Sequence, residues 1–193
     1  MALDLTYDRI NADFNDTLLL EETSYTRSYS HFIKYFADID PVEIHHLIIA
    51  SHFVYGWMPT VINLNLQKEV QVLISLNEAK QGKVLNEQEL EVVKECINNS
   101  IVGASKLLHF LNPDTYAIWD SRIFRYLTGK SSTYGIDKAI TYLEYLNALN
   151  MVKEHKDYPV LHDRVEARVK KKITHMCAIE MIMFATDIKN SKI

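Results

Sequence analysis

The chain has 193 residues, a formal net charge of −4, 48% hydrophobic and 24% charged residues, and only 5 glycines and 4 prolines. This composition supports a real core and excludes a disordered chain. The acidic balance excludes a protein that coats nucleic acid through bulk charge, so any such contact needs a local basic surface. The length suits one all-α domain over 1–193, a compact helical bundle in two lobes, 1–40 with 136–193 and 41–135.

From the N-terminus, MALDLTYDRI lacks a basic stretch followed by an apolar one, so no secretory signal is read. No apolar run approaches the roughly 18 residues of a membrane span. Residues 24–38 read as an amphipathic helix. Asp40-Pro41-Val42-Glu43 reads as a helix start, with Asp40 as cap, Pro41 in the first turn and Glu43 at the reciprocal position. That helix should run to Gly56-Trp57-Met58-Pro59. Residues 60–81 read as the next helix, ended by Gly82. Asn86 and Glu89 repeat the capping signature and open a helix through Asn98. A break at Asn99-Ser100 leads into IVGASKLLHFLNPDTYAIWDSRIFRYL, residues 101–127. In it Lys106 to Leu111 is helical, Asn112-Pro113-Asp114 breaks the helix, Ala117-Ile118-Trp119 is short and extended, and Asp120 heads a helix ending near Gly129. Residues 128–135 are loop; they contain GKS without the upstream glycine and strand of a phosphate-cradling loop. Residues 136–150 and 160–187 read as further helices.

Cys96 and Cys177 belong to no CxxC pair, which argues against a disulfide framework or structural zinc and for reduced cytoplasmic thiols. His45 and His52 share a helix face near His46 and Glu43, but without HExxH spacing or a third well-placed ligand they read as ordinary core or surface histidines, and no metal is expected.

The chemistry-bearing stretch is 101–127. A carboxylate beside a sugar stabilises the positive charge that develops when a base–sugar bond breaks. A lysine beside it can attack the sugar carbon and form a Schiff base once burial or a cationic neighbour lets it lose its proton. Lys106 lies in an apolar run, and Asp120 heads the next helix. The alternatives are an incidental lysine and a plain helix cap, since aspartate is a preferred N-cap.

Val102-Gly103-Ala104-Ser105-Lys106, the short Asn112-Pro113 loop, and Ile118-Trp119-Asp120-Ser121-Arg122-Ile123-Phe124-Arg125 together resemble the helix-hairpin-helix (HhH-GPD) DNA glycosylase superfamily. In that superfamily a hairpin lysine precedes a helix, a loop and an aspartate segment. The resemblance implies an HhH-GPD-like all-α fold with DNA as partner, no cofactor and no membrane. It makes Lys106 the Schiff-base nucleophile and Asp120 the catalytic carboxylate. Only Gly103 remains of the hairpin glycines, with Val102 and Ala104 in the glycine positions and Ser121-Arg122 in place of Thr-His, as in a divergent member.

Trp57, Trp119 and His109 are candidates for a base pocket or wedge, against the alternative of core aromatics and a core histidine. Gly103, Ser105, Arg122, Arg164 and Lys171 are candidate phosphate contacts. The last two belong to a basic cluster with Arg168, Lys170 and Lys172, which otherwise reads as the solvated side of a helix. Two further readings stand beside the enzyme. One is an inactive module of the same fold that binds nucleic acid, a nucleotide or a protein. The other is an oligomerisation domain built on the apolar C-terminal helix, with the oligomeric state unknown.

Overall fold

A computed structural model describes residues 3–19, 24–57 and 60–191, without the side chains of 24–26 and 57. Among the described residues the protein is all-α. The helices are α1 (Tyr7–Asp16), α2 (Ser24–Ala37), α3 (Ile44–Trp57), α4 (Glu69–Lys80), α5 (Glu87–Cys96), α6 (Ile101–Leu111), α7 (Ser121–Thr128), α8 (Ala139–Lys153), α9 (Tyr158–Val169) and α10 (His175–Asn190). None of them is long and apolar enough to cross a membrane.

The centre of the fold is α6. Its sequence is apolar around nearly the whole circumference, and every residue except Val102 is buried. Helices α2, α3, α4 and α5 pack around it, while α7 and α1 pack on α10 and α9 joins the same side. Residues 121–128 leave the middle of the chain to join α10, and α2 joins α6.

Local chemistry explains where the expected elements hold. Asn86 and Glu89 form the reciprocal capping box at the head of α5. Asp120 caps α7, and Gly129 ends it in the left-handed region at φ 66°.

Elsewhere the structure corrects the reading. Helix α3 starts at Ile44, not behind Asp40, and the Asp40–Pro41 peptide is cis. Asn77 of α4 holds Val42 on both sides: its Oδ1 accepts the Val42 N–H at 2.8 Å, and its Nδ2 donates to the Val42 carbonyl at 2.9 Å. That keeps 40–43 out of the helix. The expected helix over 60–81 shrinks to α4, because residues 60–66 run extended along the α5–α6 turn. There Asn65 N–H reaches the Cys96 carbonyl (2.9 Å), and Asn98 N–H reaches the Asn63 carbonyl (3.1 Å). The expected helix over 160–187 is split between α9 and α10. Lys170 turns left-handed at φ 56°, and Glu166 accepts both the Ile173 N–H and the Lys172 ammonium. Helix α1 was not foreseen; Thr6 caps it.

The hairpin itself moves. Residues 102–105 are helical, inside α6, and the turn lies upstream, where Asn98 and Asn99 take φ 54° and 51°. Asparagine tolerates that region better than other non-glycine residues, so a turn without glycine forms here.

Candidate active site

The site is built on a short irregular segment, residues 116–120, in which Tyr116, Ala117 and Trp119 are buried between helices and Ile118 and Asp120 are half-buried. A buried backbone without a ladder must find other hydrogen-bond partners, and here side chains supply them. His109 Nδ1 donates to the Tyr116 carbonyl (2.7 Å), Tyr142 Oη to that of Ala117 (2.9 Å) and Tyr145 Oη to that of Ile118 (3.3 Å). The Trp119 N–H goes to Ser105 Oγ at 3.0 Å, and the Ile118 N–H goes to Glu180 Oε1. These supports place Asp120 at the end of the segment. Its Oδ1 accepts from the Arg122 N–H (2.9 Å) and the Ile123 N–H (3.0 Å), while Oδ2 takes no part in this cap.

Lys106 is only 8% exposed. Burial pushes its ammonium below the ordinary lysine range, and the charges of Asp120 and Glu180 oppose that fall. The charge of Asp120 thus reaches the buried Lys106 from 14 positions along the chain. Asp120 is the helix cap that the sequence also allows.

Glu180 of α10, 7% exposed, is the third member, which the sequence reading missed. Burial drives its carboxyl well above the carboxylate range. The Ile118 N–H and Lys106 oppose this, and Asp120 adds to it. A signal was present in the sequence: Glu180 is the only acidic residue in the apolar run 175–186. Around these three lie groups that burial holds neutral. The Cys177 thiol is pushed up to about 12, and the hydroxyls of Tyr29, Tyr142 and Tyr145 are pushed above their ordinary value.

Other expected site residues have different tasks. Trp119 is fully buried, donates its Nε1–H to the Ile136 carbonyl (2.9 Å) and packs against Phe124 and Tyr145. It is a core residue and not a pocket wall. His109 is likewise sealed. With Nδ1 donating to Tyr116, its Nε2 accepts from Tyr29 Oη at 2.8 Å, and burial pushes the ring down to about 4. It supports the 116–120 segment and is out of reach of a substrate. The side chain of Trp57 lies outside the described residues.

Four of the five expected phosphate contacts have partners inside the fold. Gly103 gives its N–H to the Ser100 cap and leaves room for Tyr55, and Ser105 is spent inside the fold on Val102 and Trp119. Arg122 pairs with Asp187 at 3.1 Å, alongside Arg125 at 2.8 Å. Arg164 reaches Asn11 and Asn15, and Arg168 donates to the Phe14 and Thr17 carbonyls, so both clamp α1 onto α9. Lys172 pairs with Glu166, while Lys170 and Lys171 are exposed at the α9–α10 turn.

Glu43, His45 and His46 bring ligand atoms within 4.8 Å of one another, as do His162, Asp163 and Glu166. His52 stands apart, bonded to the Ile48 carbonyl at 2.8 Å. A hollow of about 410 Å³ lies on α4, lined by residues that include Val70, Ile74 and Asn77. Another of about 320 Å³ lies at the Asn98-Asn99 turn. Neither is lined by Lys106 or Asp120. No protein-family model, curated protein or solved structure matches the chain.

Proposed function

We propose that the chain is a DNA glycosylase with lyase activity, acting on a damaged or modified base that has been flipped out of the duplex. The observation that carries this reading is the buried lysine of α6, whose ammonium feels the charge of the aspartate that heads α7. In this reading Asp120 stabilises the cationic sugar as the base leaves. Lys106, whose burial favours the free amine, attacks the sugar carbon and forms the Schiff base. Flipping is required because the sugar carbon is shielded in the stack. Asp120, Ser121 and Arg122 are half-buried, so the approach to the site runs over the N-terminus of α7.

A second reading, a nucleic-acid or partner-binding module without chemistry, is favoured by one feature. The backbone N–H of Gly103 is committed to Ser100 and unavailable to a phosphate.

Borohydride trapping separates the two readings. Duplexes carrying an abasic site or a panel of oxidised, alkylated, deaminated and hypermodified bases are mixed with the protein, Lys106→Ala and Asp120→Asn. The enzyme reading expects a covalent adduct that disappears in Lys106→Ala, and base release that drops in Asp120→Asn by the 10²–10³-fold typical (roughly) of a lost electrostatic stabiliser. No adduct and no base release on any substrate, with duplex binding unchanged by either substitution, would select the module.

A further inference from the structure

Four successive residues, Glu43-Ile44-His45-His46, carry a carboxylate and two imidazoles where the chain enters α3. In sequence the histidines lack a spaced third ligand, because His52 lies two helical turns beyond His45. The structure brings a third ligand from the other direction. Glu43, His45 and His46 each place a ligand atom within 4.8 Å of the others. His45 Nδ1 lies 3.3 Å from Glu43 Oε2, and the two imidazole rings stand 3.8 Å apart, centre to centre. A tetrahedral ion with bonds of about 2.0–2.1 Å sets its ligand atoms about 3.3 Å apart, so the Glu43–His45 pair already spans one edge of such a site.

The fold fixes where these side chains start. Asn77 of α4 holds the Val42 backbone on both sides, at 2.8 and 2.9 Å, and so sets the position of Glu43. The Glu43 N–H in turn donates to His46 Nδ1 at 3.0 Å. The side chains of Glu43 and His45 are 59% and 57% exposed, so an ion has a direct path in and water can complete its coordination. A cation at a helix N-terminus meets the adverse end of the helix dipole, and the Glu43 carboxylate offsets that. The described residues hold one other such cluster, His162, Asp163 and Glu166. There both Glu166 oxygens are taken, by the Ile173 N–H and the Lys172 ammonium, and Lys170 and Lys171 add positive charge in the same turn.

We propose that Glu43, His45 and His46 form a binding site for one divalent transition-metal ion of the zinc type. Its ligands are Glu43 Oε2, His45 Nδ1 and one ring nitrogen of His46, with water in the remaining position. Imidazole nitrogens select zinc and its transition-metal neighbours, whereas magnesium and calcium call for oxygen ligands throughout. His46 changes partners on binding. Its neutral ring has one proton, so a metal on Nδ1 displaces the Glu43 N–H, and a metal on Nε2 leaves the ring proton on Nδ1. Either way the Glu43 N–H loses its acceptor and turns to water, and the Glu43 amide reports the ion's arrival. The site lies on other elements than Lys106 and Asp120 and does not depend on the chemistry proposed for them.

Calorimetric titration of the tag-free protein with zinc tests this, in wild type and in Glu43→Gln, His45→Ala and His46→Ala, with circular dichroism verifying each fold. The expected result is one ion per chain, bound about 100-fold or more weakly in each variant, beyond the roughly 10–100-fold cost of losing a group that only orients a ligand. His52→Ala and His162→Ala should bind zinc as the wild type does. His46→Ala also removes the acceptor of the Glu43 N–H, so the deciding variant is His45→Ala, whose exposed ring takes no part in that bond. Nitrogen-15 NMR gives a second readout: zinc should shift the Glu43 amide in wild type and leave it in place in His45→Ala. No saturable binding at millimolar zinc, binding that survives His45→Ala, or binding that His162→Ala abolishes overturns the site.

Discussion

At the scale of single residues, the site depends on groups whose protonation the fold dictates. His109 illustrates the energetic consequence. Its ring is sealed between Tyr29 and Tyr116 and is pushed down to about 4. The unfolded chain would protonate it near pH 6.5. Below that pH the unfolded state binds the extra proton, so this contribution to stability is complete above about 6.5 and is lost as pH falls towards about 4. The size is on the order of 3 kcal/mol at about 1.4 kcal/mol per unit. Urea unfolding across that window, compared between wild type and His109→Gln, should show the acid-side slope reduced in the variant. Identical slopes would mean that the ring titrates freely in the folded protein. Lys106 and Asp120 were legible in sequence because each interrupts a local pattern, a charge in an apolar run and a cap before a helix. Glu180 has the same kind of signal, yet its role depends on a partner far along the chain, which periodicity within one helix cannot report.

At the scale of elements, α6 is set by close packing more than by helix propensity. A glycine inside a helix ordinarily costs about 1 kcal/mol relative to alanine, so Gly103→Ala would be stabilising on an open surface. Here a Cβ would collide with Tyr55 Oη and meet its ring at 3.1 Å, with Tyr55 itself buried. Gly103→Ala should therefore destabilise by about 1–3 kcal/mol through overpacking, and Tyr55→Phe in that background should restore part of the loss. Chemical denaturation of the single and double variants decides it, and a stabilised Gly103→Ala would refute the packing account. Most helices were legible from their caps and apolar spacing. The failures are physical and specific. Residues 60–66 carry helix-compatible composition, but their backbone is claimed by the α5–α6 turn. The hairpin moved upstream because Asn98 and Asn99 do what glycines usually do. The single long C-terminal helix broke where Lys170 turns left-handed and Glu166 closes the turn.

At the scale of the whole molecule, the sides of the fold are tied by arginines, among them Arg122 and Arg168, which the sequence suggested for phosphates. Arg122 and Arg125 converge on Asp187, joining α7 to α10. Arg168 lies 3.7 Å over the Phe14 ring and donates to two carbonyls at the end of α1. Arg168→Ala should weaken the docking of α1 by about 1–2 kcal/mol, the scale of a cation–π contact and a net hydrogen bond. Amide exchange would register it as faster exchange across α1 with α6 unchanged. A uniform loss of protection would mean that α1 is not a separable unit. The basic cluster was visible in sequence, but its destination was not, because hydrogen bonding to α1 and phosphate binding call for the same side chains.

The segment that presents Asp120 owes its shape to α6, α8 and α10, and the last of its supports, Glu180, lies 62 positions beyond Ile118. During synthesis, residues 106 and 120 leave the ribosome long before residue 180 does. Until α10 docks, the Ile118 N–H lacks its Glu180 acceptor, and the segment that leads to Asp120 is held by α6 and α8 alone. Assembly of the fold thus acts as a timer: an unfinished chain carries the lysine and the aspartate, but not yet the buried setting that the finished fold gives them.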